Sequence, residues 1–555
     1  MKRFFYALLV MALCTGGLLA QGQLSGRLET FGNFFLRDSL IGAANTPQYD
    51  HQLYGAEAWL NLNYTIKGFE FRTRFDLFNN SNLLNPQDSY TAQGIGYWYV
   101  GKEIDRFKVE AGYLYDQIGS GIIYRAYEER ALAIDQALLG LGLQYRLGDN
   151  WLVKAFTGRQ KQQFDAYKSI IKGLSAEGFI VKGEDKKVFL VPGFGIVNRT
   201  LDDGSMQSLV SSLATYRKED QFSPTYNTYA FSFYNTLTRG ALSWYVEAAY
   251  KTRDNLSDPF GERVTLSGDT VVGPTFFQAP GSVLYTSLSY AKKGFGASLE
   301  FKRTQNFSFR TRPQESLNRG LINFLPPMTR VNTYRLTARY AAATQDLGEL
   351  AYQADLSYKF NKRLRLNVNF SNITDLDNLL LYRELYSELT FKKPRKWTLV
   401  GGLQWLQYNQ EVYYFKPDAP LLQAVTPYFD YLYKLSRKAS IRFEGQYMKV
   451  GKDEKGELHD YGDWVFGLVE FAVAPHWTFT VSDMYNIQPG HNSPVDDQGN
   501  KLAIHYPRFD IYYSQGPTRF SLSYVKQVEG IICSGGVCRV EPAFSGVKLS
   551  VSSSF

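Results

Sequence analysis

The sequence predicts an all-β fold, a transmembrane antiparallel up-and-down β-barrel of about 24 strands, within roughly 20 to 26, with short periplasmic turns and long extracellular loops. Three observations carry this. Segments in which apolar and polar residues alternate recur from near the N-terminus to the last residue, and alternation sorts two faces only in a strand. Their connections alternate between tight turns and long polar loops. Aromatic residues make up 16% of the chain, with 40 Tyr, 39 Phe and 8 Trp, and long helical periods rich in Ala, Leu, Glu and Lys are nearly absent.

The chain opens MKRFFYALLVMALCTGGLLAQGQ. Lys2 and Arg3, an apolar stretch from Phe4 to about Leu13, and the small residues after it have the layout of a secretory signal peptide, with cleavage expected after Ala20. Cys14 raises lipidation as an alternative, but Leu13 before it is larger than the residue such sites carry. Beyond this segment no apolar run approaches the ~18–20 residues of a spanning helix. Residues 21–555 therefore read as one barrel domain. Losing Lys2 and Arg3 takes the formal net charge from +8 to +6, too mild and dispersed to indicate nucleic acid.

SGRLETFGNFFL (25–36) reads as strand one, followed by LYGAEAWLNLNYTI (53–66), a turn at Lys67-Gly68, and FEFRTRFDLF (69–78). In the last run Phe69, Phe71, Thr73, Phe75 and Leu77 share one face, and Glu70, Arg72, Arg74 and Asp76 share the other. The aromatic face is assigned to lipid and the charged face to the lumen. The reverse puts Arg72 and Arg74 into hydrocarbon, at roughly 2–4 kcal/mol each near the midplane. A soluble β-sandwich is the competing reading; the unbroken length of the pattern argues against it. RFKVEAGYLYD (106–116), LGLGLQYRLG (139–148), WLVKAFTGR (151–159), YAFSFYNTLT (229–238) and ALSWYVEAAYKT (241–252) continue the series, and FSGVKLSVSSSF ends it.

Tight turns include Lys67-Gly68, Gly148-Asp149-Asn150, Arg239-Gly240, Asn361-Lys362-Arg363 and Gly516-Pro517; long loops include 79–93, 253–281, 409–420, 451–460 and 487–502. VNTYRLTARYA (331–341) alternates like a strand. Counting it, however, moves the 361–363 turn to the long-loop side and makes the total odd, whereas both termini of such a barrel lie in the periplasm. It is assigned instead to one long loop, 305–349, free to fold inward.

Lumen-phase charges are the candidates for setting selectivity: Glu70, Arg72, Arg74, Asp76, Lys108, Glu110, Arg363, Arg365, Glu444 and Lys548. Both signs occur, which fits a general or zwitterion-tolerant lumen; equally, the charges can pair across strands and satisfy one another. Three loops concentrate polar groups. YRAYEERALAID (124–135) carries Arg125, Glu128, Glu129, Arg130 and Asp135 in what reads as a short helix. NRTLDDGSMQSLVSSL (198–213) sets Asp202 and Asp203 ahead of an amphipathic helix, and ITDLDN (373–378) offers Asp375 and Asp377. Paired carboxylates can hold Ca²⁺ or bridge lipopolysaccharide, but none has calcium-loop spacing, and acidic turn residues ordinarily serve solvation. No metal or cofactor is assigned. Cys533 and Cys538, in CSGGVC, read as a disulfide across a loop tip of an exported chain; a redox or metal pair lacks a nearby histidine.

An enzyme is not expected. His51, His459, His476, His491 and His505 fall mostly in loops or turns, and the chain has neither Gly-x-Ser-x-Gly nor His-Glu-x-x-His. Aromatic clusters in YFDYLYKL (428–435) and VYYFKP (412–417) could stack glycan rings, but the interfacial belt of a barrel needs aromatics anyway. The globular plug of an energised transporter has no room before strand one.

The last strand, with Val547, Leu549, Val551, Ser553 and Phe555 on one face, resembles the C-terminal strand of bacterial outer-membrane barrels, although Ser553 replaces the usual apolar residue. The chain also resembles a large uncharacterised group of Gram-negative outer-membrane barrels containing runs such as NRTLDDGSMQ, YNTYAFSFYNTL and YVEAAYKT. The resemblance implies an outer-membrane location, contact with lipid and lipopolysaccharide, and recognition of Phe555 by the barrel-assembly machinery. It implies no activity. The functional expectation is a passive, porin-like channel for small solutes. The second reading is a plugged or partnered barrel that docks a periplasmic or surface protein, favoured by a lumen filled by the 305–349 loop and by mated lumen charges.

Overall fold

Alternation places Phe69, Phe71, Phe75 and Leu77 on the outside of the molecule, while Arg74 and Asp76 of the same strand are buried within it. In the computed structural model, which describes residues 22–183, 187–534 and 537–555, that strand (Phe69–Ser81) is one of 24 that form a closed antiparallel barrel. The first strand, Gln23–Phe35, pairs with the last, Phe544–Ser554, setting Arg27–Phe35 against Gly546–Ser554. Closure removes the open sheet edge that hydrocarbon does not tolerate. Among the described residues no helix is long and apolar enough to cross a membrane; the strands cross it. The expected signal peptide, residues 1–20, lies outside the described residues.

At the end holding the described termini the turns are short, among them 67–68, 105–106, 240–241, 293–294 and 516–517. The other end carries long connections, including 36–53, 115–137, 201–226, 306–347 and 528–543. Strands run further than their hydropathy shows, so the expected loops 79–93 and 253–281 shrink to 82–89 and 259–274. Beyond the lipid band a strand keeps its backbone ladder while its outer face turns polar, and alternation of hydropathy stops before hydrogen bonding does. Asp202 caps the helix Asp203–Leu213 by accepting from the Ser205 N–H at 3.0 Å. The short helix expected over 124–135 is instead a single 3₁₀ turn, Arg130–Leu132, because Glu128 and Glu129 pair with Asp135 and Ile134 as a small hairpin.

Residues 331–341 form turns, and the whole of 306–347 packs inside the ring as a strap. Arg199, on the strand Val188–Thr200, donates to the Arg310 carbonyl at 3.0 Å. Eight strands further round the ring Gln404, on Trp397–Asn409, donates to the Thr337 carbonyl at 2.9 Å, and two strands beyond it Gln446, on Ala439–Val450, accepts from the Leu336 N–H at 2.7 Å. A segment tied to facing arcs crosses the lumen. Its Phe307, Phe309, Ile322 and Leu336 form one core with Ile118, Ile122 and Tyr124 of the 115–137 loop. Each such side chain contributes about 1.5–3 kcal/mol on burial.

The filling is uneven. On Gly348–Lys359 the inward Glu349 and Ala351, toward the long loops, are buried, whereas Asp355 and Ser357, toward the short turns, are half-buried. Asn227–Arg239 repeats this, with Thr228, Ala230 and Ser232 buried and Thr236 and Thr238 half-buried. The strap thus packs across the long-loop half of the lumen, leaving a cavity there beside Arg74, and the short-turn half is an open vestibule.

Candidate functional site

The wall and loops meet at Arg74. Positions two apart on a strand share a face, so Arg74 and Asp76 lie side by side in the lumen, and the Arg74 Nε donates to Asp76 at 2.6 Å. The same guanidinium reaches Glu128 at 2.5 Å and Asp135 at 3.1 Å, both from the 115–137 loop. Lys161, on the strand Trp151–Gln162, also pairs with Asp135, and Arg130 pairs with Glu128 and with Glu29 of the first strand. A guanidinium this desolvated needs several charge-assisted bonds to be tolerated. Burial pushes the Asp135 carboxyl up, but Lys161 and Arg74 outweigh it and hold the group below its ordinary range. Sequence phase and loop composition had nominated Arg74, Asp76, Glu128 and Arg130 separately; the fold brings them together.

The remaining nominated residues are dispersed. Glu70 and Arg72 pair in the vestibule at 2.7 Å. Lys108 pairs with Glu110 at 2.5 Å, and Tyr99 and Gln144 also donate to Glu110; Arg72, Lys108 and Glu110 line a cavity of about 180 Å³. Glu444 is held by Arg442 and, at 2.6 Å, by Gln446. The Lys548 ammonium lies 4.1 Å from the Phe544 ring centroid. Arg365 stands opposite Lys359 at the short-turn end, but Arg363 lies in the turn 360–363, where the strand has ended and phase counting no longer assigns a face. Arg125 leaves the charge cluster and stacks on Phe324 of the strap at 4.0 Å. Asp203 accepts from the Tyr226 hydroxyl, and Asp375 accepts from the Asp377 and Leu379 N–H groups, which closes a turn. Among the described residues no group of three or more His, Cys, Asp or Glu side chains gathers as metal ligands. Cys533 and Cys538 face each other in register in the hairpin Gly530–Ser534/Val537–Glu541; its Gly535-Gly536 tip lies outside the described residues.

Phe555 closes the seam. Its N–H and C=O bond Gly26 at 3.0 and 2.8 Å, and its ring occupies the space over Gly26, where an added Cβ would come within 2.3 Å. Gly26→Leu is therefore expected to displace the ring and reduce the folded, heat-modifiable fraction several-fold. Unboiled gel migration of membrane fractions checks this, and a yield equal to the parent's would refute it.

Several buried charges escaped the sequence reading. Arg199, Lys251 and Asp254 form a fully buried triad, and Lys302 pairs with Glu349 at 3.0 Å. Glu247 and Lys251 in YVEAAYKT sit on one face by alternation, so their inward aim was available. Asp254 was not, because the register shifts between Lys251 and Asp254.

At the long-loop end, above Arg74, lies a cavity of about 910 Å³. Its basic groups are Arg74, Arg130, Lys161, Arg319 and Arg539; its acidic groups are Asp76, Glu128, Asp135, Glu315 and Glu529. The model of a family described as "Family of unknown function (DUF6029)" matches residues 1–555. The chain belongs to this family. Among curated proteins, none matches it. Solved structures similar to this DUF6029 chain include the ferric enterobactin receptor PfeA of Pseudomonas aeruginosa, at 9% identity and a TM-score of 0.41 over 97% of this chain and 82% of that one. OccAB4 of Acinetobacter baumannii has 11% identity and a TM-score of 0.34 over 73% and 96%. The outer membrane transporter YddB of Escherichia coli has 8% identity and a TM-score of 0.40 over 96% and 81%. None of these likenesses carries a functional argument.

Proposed function

We propose that this DUF6029 chain is an outer-membrane barrel, exported by residues 1–20 and inserted with its short turns toward the periplasm, that is closed to free diffusion and acts as a structural or docking component. One observation supports closure above all: the strap 306–347 packs across the long-loop half of the lumen with Phe307, Phe309, Ile322 and Leu336 buried. A general porin needs a water-filled path, and a packed core tied across the lumen by Gln404, Gln446 and Arg199 does not provide one. The vestibule at the short-turn end leaves room for a periplasmic partner. Outward aromatics meet lipid and lipopolysaccharide, and Phe555 presents the terminal strand to the assembly machinery.

A planar bilayer tests this. Folded, purified protein is expected to give no stable conductance steps. A variant whose residues 312–342 are replaced by a short Gly/Ser linker is expected to give large ohmic ones. Large steps from the intact chain would instead establish the second reading, a porin-like pore, for which the vestibule is the supporting feature. In the same preparation, Cys533 and Cys538 are expected to resist alkylation until reduced; labelling without reductant would refute the disulfide.

A further inference from the structure

We propose that the long-loop-end cavity binds an uncharged oligosaccharide, an inference independent of whether the barrel conducts. The cavity, about 910 Å³, falls within the size range of small-ligand sites. Its five basic and five acidic side chains balance, and those at the centre are spent on one another: Arg74 on Asp76, Glu128 and Asp135, and Lys161 on Asp135. At this centre a charged ligand finds no unmatched counter-charge, Arg319 lying exposed at the edge, whereas a hydroxyl-rich one requires none.

Hydrogen-bonding capacity is left over on carboxamides and on the unpartnered Tyr413 hydroxyl. Gln136 is 5% exposed and lines the cavity, and neither its Oε1 nor its Nε2 has a partner in the protein. Buried polar groups are ordinarily paired, so this amide is a built receptor for a donor and an acceptor together, the combination a sugar hydroxyl presents. At the mouth Gln87, Gln162 and Gln163 are exposed. The half-buried Phe164 adds an apolar ring face against which the C–H face of a pyranose packs, whereas Trp59 is buried beneath Arg130. An aromatic face, spare amides and neutralised charge favour a neutral sugar over a peptide, whose termini would meet charges already engaged.

The folded full-length protein in detergent is applied to an array of neutral glucose, mannose and galactose oligosaccharides, with sialylated and sulfated oligosaccharides and dipeptides alongside. Retention of neutral oligosaccharides above the charged probes is expected, and titration calorimetry of the best neutral binder gives its affinity. Gln136→Leu, and separately the double variant Gln162→Ala/Gln163→Ala, are expected to weaken that affinity about tenfold or more with unchanged heat-modifiable migration. The double variant lies on the exposed rim and decides the matter should Gln136→Leu fail to fold. No neutral binder, a preference for charged or peptide probes, or full affinity in the rim variant would each overturn the proposal.

Discussion

Asp254→Ala is expected to destabilise the barrel by about 3–5 kcal/mol and to unfasten its strap, the cost typical of stranding a buried charge. The Asp254 carboxylate accepts from Arg199 at 2.5 Å, from Lys251 at 2.9 Å and from the Thr228 hydroxyl at 2.9 Å. All three ionisable side chains are essentially inaccessible. Both cations also reach the strap, Lys251 donating to the Ser308 carbonyl and Arg199 to that of Arg310. Removing the only carboxylate of the triad leaves two like charges facing each other without compensation, and the nearest relief is to expel residues 308–310 and admit water. Asp254→Asn keeps the shape and one acceptor oxygen but loses the charge and the second acceptor, so it should fall between parent and Ala. Urea unfolding in lipid vesicles, followed by Trp fluorescence, reads the stability, and bilayer recordings read the strap. A shift below about 1 kcal/mol together with silent bilayers would show that the triad is neither buried nor a fastening.

How far such features can be read from the sequence depends on what sets them. The wall is legible because lipid on one side and packed lumen on the other impose opposite demands at a period of two; Phe69 to Leu77 shows this within one strand. The even strand count follows from topology, which is why 331–341 could be assigned to a loop despite its strand-like alternation. Its Tyr334 and Leu336 are buried, but against side chains of the wall rather than in a ladder. Hydropathy records that a residue is buried and not what buries it. The charge cluster was half legible. Phase gave Arg74 and Asp76 an inward aim and loop composition flagged Glu128 and Arg130, but which loop bends onto which strand is a long-range matter that no local pattern encodes. Lumen charges such as Glu384, bonded by Asn332 of the strap at 2.8 Å, are specified only once the strap is in place.

Arg74→Met is expected to release the 115–137 loop and to change how the barrel responds to acid. Among the described residues Arg74 is the one cation bonded to all three of Asp76, Glu128 and Asp135. Methionine preserves much of its aliphatic volume and removes the charge, leaving Lys161 on Asp135 and Arg130 on Glu128. The loss should again be about 3–5 kcal/mol, concentrated in the loop. The pH dependence follows from Asp135, whose folded-state carboxyl is depressed. Its contribution is complete above the unfolded value, about 3.9, and is lost as pH falls through the lower folded value. The parent should therefore protect the 115–137 loop from proteolysis down to and below about pH 4. In Arg74→Met burial still raises the carboxyl and one of its two depressing cations is gone, so loop protection should be lost at a higher pH than in the parent. Limited proteolysis with an acid-tolerant protease across about pH 3 to 7, mapped to the 115–137 loop, reads this directly. Superimposable profiles for parent and variant would mean that Lys161 alone sets the Asp135 charge, and that the Arg74 contact, though formed, does not hold the loop.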